Sequence, residues 1–334
     1  MAELAEASTG NTGIRTRLYR SGDLVEEGFA LAAVSDYLTE PDVVVWVDLR
    51  NPDQGSLEAL GEELGMHELA VEDAGERRER PKLDTYPTHA FLNAYAVRFT
   101  GADELDSSEV SAFLLPNALV TVRKNDWFDI SQVVARWDSA APAERTKVSY
   151  FLYALLDDLV DGHFEAVEDL DEAIESLEDL LFQPANTTME VQKRSFALRK
   201  SLVTLRRLVL PMREVINTLM RRDLGLVDAD MAPYYQDIYD HVLRATEWTE
   251  SLRDLVTTVL ETNITIQGNR LNTISKKVTG WAAIIAVPTF VTGFFGMNVP
   301  YPGFAKQVGL EAAISIMAIT SAALFMLFKV LDWI

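Results

Sequence analysis

Val278-Thr279-Gly280-Trp281-Ala282-Ala283-Ile284-Ile285-Ala286-Val287-Pro288-Thr289-Phe290-Val291-Thr292-Gly293-Phe294-Phe295-Gly296-Met297 is a run of twenty residues without a charge. A bilayer core of about 30 Å needs roughly 17–25 such residues in a helix. A second uncharged run extends from Ala312 to Phe328, and only ten residues, Asn298 to Gln307, separate the two spans. Two buried core helices would satisfy the same composition. Their adjacency at the C-terminus, with so short a joint, reads instead as a transmembrane hairpin.

The flanks orient it. Lys276 and Lys277 precede the first span, Lys329 follows the second, and the joining loop holds only Lys306. Positive-inside bias places both termini in the cytoplasm. Met1 to Gly13 is acidic and small rather than basic and apolar, unlike a signal peptide. The boundaries expected along the chain are an α/β part over 1–143, an acidic helical hairpin over 144–232 and a stalk helix over 233–277. Then come a first span over 278–297, a loop over 298–307, a second span over 308–329 and a tail over 330–334.

Thirty Lys+Arg against fifty-one Asp+Glu leave a net charge of −21 in 334 residues. The last sixty-one residues hold four of the bases and two of the acids, so residues 1–273 carry −23. That balance repels nucleic acid and favours cations as partners. With no cysteine there is no disulfide, thiolate metal site or cysteine nucleophile. No phosphate-binding glycine loop occurs, which argues against ATP as an energy source and against an ATP-driven pump. The four histidines, His67, His89, His163 and His241, are scattered and read as surface or core residues.

Within the N-terminal part, Val43 to Leu49 reads as a buried strand, Leu57 to Leu64 as a helix before Gly65, and Ala90–Phe99, Val110–Leu115 and Leu119–Arg123 as further strands. From about Glu144 the chain turns helical. Val160, Phe164, Val167, Leu170, Ile174, Leu177 and Leu181 form one apolar stripe on a helix with eleven acids between Asp157 and Asp179. Gln183-Pro184-Ala185-Asn186 breaks it, and Thr187 or Thr188 caps a second helix running towards Arg222. After Ala232-Pro233, Tyr235, Ile238, Val242, Ala245, Thr249, Leu252, Val256, Val259, Asn263 and Ile266 alternate steps of three and four. Such a 3.5-residue repeat marks a helix packed along partner helices. No proline interrupts it before Pro288, so one helix of about sixty residues, roughly 90 Å long, enters the membrane.

Stepping back from Gly296 by three and four gives Gly293, Thr289, Ala286, Ala282, Thr279, Ser275 and Asn272, all small or polar. Trp281, Ile284, Ile285, Phe290, Val291, Phe294 and Phe295 lie off this seam. Small residues let helices approach closely, and a small polar stripe also suits the wall of a narrow aqueous path. The stripe alone leaves both open.

Pro288 to Phe295 followed by Gly296-Met297-Asn298 resembles the first-span ending of the CorA family of magnesium transport proteins. Trp46-Val47-Asp48-Leu49 with Pro52, Leu69 to Asp73, Arg80-Pro81-Lys82 and Asp237-Ile238-Tyr239-Asp240-His241 are similar to further family blocks. The resemblance implies a homopentamer in the cell (inner) membrane, and no enzyme. Its fold would be an α+β cytoplasmic domain, a mixed sheet with helices forming a funnel, followed by the stalk helix and the two-helix hairpin. It implies inward transport of hydrated Mg²⁺, often also Co²⁺ and Ni²⁺, without ATP. Gly296, Met297 and Asn298 would form the selectivity filter at the outer mouth. Asn272, Ser275, Thr279, Ala282, Ala286, Thr289 and Gly293 would line the pore. Cytoplasmic Mg²⁺ between subunits would close it, bound by Asp237 and by a neighbour's acid near Asp103 or Glu104.

Three departures stand out. Ala282 and Ala286 occupy positions where the family narrows its pore with Met or Leu. The family's basic C-terminal run shrinks to Lys329, opposed by Asp332. The outer loop lacks the acid many members carry, for which Glu311 is a substitute. A zinc-transporting relative and a non-conducting, membrane-anchored cation sensor are the competing readings.

Overall fold

The computed structural model describes residues 13–76, 79–182 and 188–334. The expected helix break at Gln183–Asn186, and Thr187 as a cap, lie outside the described residues, as does nearly all of Met1–Gly13. The chain forms two compact units, Met1–Val259 and Leu260–Ile334.

In the first unit a seven-stranded mixed sheet has the order β2-β1-β3-β7-β6-β5-β4. The strands are β1 (Ile14–Arg20), β2 (Asp23–Glu27), β3 (Val43–Arg50), β4 (Lys82–Thr85), β5 (Ala90–Thr100), β6 (Glu104–Leu114) and β7 (Ala118–Arg123). Only β3 and β7 pair in parallel. Val43 to Leu49 is buried throughout, as a strand covered on both faces must be. Short helix α1 (Val34–Leu38) and helices α2 (Gln54–Leu64) and α3 (Glu68–Gly75) supply part of the core on one side, with Leu57, Leu60 and Val71 packed among the strand residues. Helix α2 starts three residues before the expected Leu57. Asp53 accepts from the Ser56 N–H at 2.8 Å and caps it.

Asp48, fully buried in β3, is neutralised by Arg123 of β7. The Arg123 Nη2 and Nε donate to it at 2.6 and 2.9 Å, and the Thr121 hydroxyl adds a bond at 2.8 Å. Arg123 also donates to the Phe128 carbonyl at 2.7 Å. Every polar group of the pair is engaged, the condition for burying it without a large penalty. Strand β1 was not expected, since its three arginines, Arg15, Arg17 and Arg20, break an apolar pattern. Arg17 is nevertheless buried, because Asp138 accepts from it at 2.9 and 3.0 Å.

Helix α4 (Ser131–Ser139) leads to α5 (Val148–Leu181) and α6 (Thr188–Leu219). Trp46, Trp137 and Phe151 pack as a chain of rings with centroids 4.7 and 4.6 Å apart. Next comes α7, from Ala232 to Phe295, one continuous helix of 64 residues. Tyr235 through Val259 of its 3.5-residue repeat are buried, and the Tyr235 hydroxyl donates to the Ser149 carbonyl at 2.7 Å.

The second unit comprises the rest of α7, a loop, and α8 (Gln307–Val330). Both helices are long and apolar enough to cross a membrane, and only 11% and 6% of their most apolar windows is buried. A core helix of a soluble domain would be mostly covered; these are not.

His163 of α5 is fully buried. Its Nε2 lies 2.8 Å from the Tyr95 carbonyl, to which it donates, and burial pushes its pKa down to about 4. The unfolded imidazole titrates near 6.5, so between about 6.5 and 4 the unfolded chain binds more protons. Stability is therefore lost as pH falls through that window. Asp158, whose carboxyl burial raises to about 6, acts in the opposite sense between about 4 and 6. Comparison with His163→Gln isolates the histidine. Urea unfolding followed by tryptophan fluorescence should show wild type losing on the order of 2 kcal/mol more than the variant between pH 7.5 and 5.

Candidate ion pathway and cation site

At about 100° per residue the small, polar seam of α7 occupies one side of the helix. Gly280, Ile284, Val287 and Val291 lie about half a turn away. Gly280 and Val291 are buried, Ile284 and Val287 half-buried. That side meets α8: a Cβ on Gly280 would stand 3.7 Å from Phe328 and 3.2 Å from Ile334. The seven seam residues, Asn272, Ser275, Thr279, Ala282, Ala286, Thr289 and Gly293, are all exposed. Nothing lies within 4 Å of a Cβ built on Gly293. Small size along this side therefore does not serve packing within the hairpin. Large apolar residues flank it, with Ile285 64% and Phe290 76% exposed, the side chains a lipid or a neighbouring span would cover.

Pro288 sits inside the span and cannot donate to the Ile284 carbonyl. The Thr289 hydroxyl donates to Ile285 and the Thr292 hydroxyl to Thr289, both at 3.0 Å. Both hydroxyls are thus satisfied on their own helix.

The helix ends where Gly296-Met297-Asn298 begins. Gly296 still donates to Thr292 at 2.9 Å, and a Cβ there would stand 2.9 Å from the same carbonyl. Pro300 then disfavours helix at Val299. The Tyr301 hydroxyl caps the Phe295 carbonyl at 3.0 Å, with the two rings edge-on at 5.0 Å. Gly303, at φ +90°, lies against Gly309, where an added Cβ would collide with the Gly303 carbonyl. The turn thus packs on backbone and aromatic contacts. Asn298 is exposed, and its amide has no hydrogen bond among the described residues.

Asp237 lies on the first turns of α7, its side chain 64% exposed, with His241 Nδ1 3.9 Å from its carboxylate. His241 in turn joins Asp157 and Asp161 of α5. One ligand atom from each of these three lies within 4.8 Å of the others. Arg136 pairs with Asp157 and reaches Asp161 at 3.7 Å. Two carboxylates and an imidazole are a donor set for a divalent metal once that guanidinium moves aside. Sequence reading passed over this group by treating His241 as isolated. The i,i+4 spacings Asp157/Asp161 and Asp237/His241 were the signal available.

Asp103 occupies the β5–β6 turn with φ +60°. Its two carboxylate oxygens accept from Arg194 Nε and Nη2 at 2.8 and 3.0 Å, and its carbonyl accepts from Ser201 at 2.9 Å. The structure thus ties Asp103 to α6 of its own chain, and Glu104, next to it, is exposed.

The family model described as CorA-like Mg²⁺ transporter protein matches residues 41–329, which include the seam, the tripeptide and both aspartates. The chain belongs to the CorA family. It is a membrane protein of a transporter family, not of an enzyme family. It is 29% identical to the cobalt/magnesium transport protein CorA of Thermotoga maritima, over 83% of this chain and 80% of that one. To the zinc transport protein ZntB of Yersinia enterocolitica it is 24% identical over 69% of each chain. The complete structure of the CorA magnesium transporter from Methanocaldococcus jannaschii superposes with a TM-score of 0.77 at 20% identity. That match covers 97% of this chain and 99% of the other, and shows that this CorA-family chain shares the fold.

Proposed function

We propose that the protein is a homopentameric channel carrying hydrated Mg²⁺, with Co²⁺ and Ni²⁺ as further cargoes, into the cytoplasm. Family membership supports divalent-cation transport. The observation that carries the pore reading is the seam: seven small or polar residues left uncovered on the side of α7 away from α8. In a ring of copies this side turns to the axis, and α8 forms the outer layer. Both termini lie in the cytoplasm.

Mg²⁺ gives up its waters reluctantly. A ring of neutral acceptors at the mouth therefore recognises the hydrated ion, and the unpartnered Asn298 amide is that acceptor. Gly296 and Met297 complete the filter by ending the helix so that Asn298 stands free. Carboxylates there would hold the ion longer and slow its release. The driving force needs no ATP: two charges at about 2.3 kcal/mol per 100 mV give roughly 4.6 kcal/mol inward. No bulky side chain at Ala282 or Ala286 closes the path, so closure comes from rearrangement of the helices.

Cytoplasmic Mg²⁺ biases that rearrangement by offsetting repulsion between acids. Asp237 is the proposed ligand on α7, supported by the carboxylates and imidazole gathered beside it. For Asp103 to serve as the neighbour's ligand, Mg²⁺ must displace Arg194 from its carboxylate. The similarity to ZntB favours zinc as the second reading, and His241 is the donor that would serve it.

Single cysteines at Thr279, Ala282, Ala286 and Thr289 should react with small water-soluble thiol reagents and block flux, against a native background without cysteine. Cysteines at Ile284, Ile285 and Phe290 should not. Equal labelling of both sets would make the seam a packing surface only.

Asn298→Ala should nearly abolish Mg²⁺ uptake into dye-loaded proteoliposomes while the protein still assembles. The same assay with Co²⁺, Ni²⁺ and Zn²⁺ ranks the cargoes. Zinc uptake without magnesium uptake by the wild type would select the zinc reading, and no flux of any ion would select a sensor.

Asp237→Ala should leave current flowing at cytoplasmic Mg²⁺ that silences the wild type, measured in patches from reconstituted membranes. Closure at an unchanged concentration would move the sensor elsewhere.

A further inference from the structure

Helix α6 carries two stripes of 3.5-residue period. Val191, Ser195, Leu198, Leu202, Leu205 and Val209 are buried in the first unit. The other stripe is bare. Met189, Phe196, Val203 and Leu210, each seven residues apart, are 71%, 72%, 36% and 38% exposed. Between them, again seven apart, stand Lys193, Lys200 and Arg207, all exposed. An apolar residue followed by a base, repeated along three heptads, has the period of a helix meeting another helix.

The chain carries a matching surface. On α5, Glu165, Glu168, Glu172, Glu175 and Asp179 advance by three and four, all five exposed and Glu178 beside them half-covered. Glu165, Glu168, Glu172, Glu175 and Asp179 form no ion pair among the described residues, nor do Lys193, Lys200 and Arg207. Both stripes repeat every seven residues, about 10.5 Å along a helix, so acids and bases stay in step along the contact.

We propose that the exposed stripe of α6 docks on the acidic stripe of α5 in a second copy of this chain. The partner is identified by sign, period and repeat length. The apolar residues of α6 lie along the stems of the glutamates while the bases reach their carboxylates. Each copy keeps one face of each kind free for the next, a head-to-tail contact that closes into a ring. The proposal takes its partner from the homo-oligomeric reading above. An anionic lipid surface is the competing occupant, and it is disfavoured by the eleven acids that α5 brings on the adjoining helix.

The test uses the full-length protein, which lacks cysteine. One copy bears Lys200→Cys and one tag; a co-expressed copy bears Glu165→Cys, Glu172→Cys or Asp179→Cys and another tag. A short bismaleimide should give a product with both tags from at least one α5 position. Reversing Lys193, Lys200 and Arg207 to Glu, with the α6 cysteine moved to Val203, should cut that product about tenfold. Reversing to Lys those of Glu165, Glu168, Glu172 and Glu175 that do not carry the cysteine in the other copy should restore it. A cysteine pair at Ala286 serves as an independent monitor of assembly. If Ala286 cross-links between copies and no α5–α6 product forms, the oligomer stands and this interface is overturned. If neither forms, the oligomeric reading falls as well. If anionic phosphatidylglycerol vesicles shield Lys200→Cys from a thiol reagent while no mixed-tag product forms, the stripe belongs to the lipid surface and the proposal is overturned.

Discussion

One continuous helix, from Ala232 to Phe295, is the constraint on which the rest depends. In hydrocarbon a helix satisfies its amides only internally, so a helix that enters a membrane keeps its phase through the boundary. From Tyr235 to Asn263 one stripe of α7 is buried. From Ile264 to Thr279 no residue is buried at all. Only Ile266 and Gln267 are half-covered there, so these four turns have few stabilising contacts of their own, and isolated helices owe little to propensity alone.

Much of this was legible in the sequence because it is periodic or charge-free. The two spans showed as runs without Asp, Glu, Lys or Arg. The buried stripe of α7 and the polar seam showed as steps of three and four, a signal carried by one segment and independent of distant contacts. Strands β3, β5 and β7 showed as apolar runs, accurate to one residue at their ends, whereas β6 begins at Glu104, six residues before the expected Val110, because its first half is polar. Strands β1, β2 and β4 did not show. Arg17 in β1 is buried through its bidentate pairing with Asp138, 121 residues away, and β2 is exposed along its length, so neither has the alternation that marks a strand.

The candidate cation site was half legible for the same reason. Asp237 stood out through a block of residues in one helix. The grouping of Asp157, Asp161 and His241 needs α5 and α7 to be adjacent, which no local pattern encodes. Likewise the clasp of Arg194 on Asp103 spans 91 residues. Charge that reads as a solvated face in the sequence separates, in the structure, into acids gathered on α5 and bases gathered on α6.

Pro288 gives the span a mechanical character. With the rung to Ile284 missing, α7 resists bending least at mid-span. The Thr289 and Thr292 hydroxyls load neighbouring carbonyls and soften the same turn. A tilt imposed on the lower half is then partly taken up as a change of angle at this joint, instead of arriving undiminished at Asn298. The span behaves as a jointed lever, stiff below and compliant halfway up, so its lower half can swing through a larger arc than the mouth experiences.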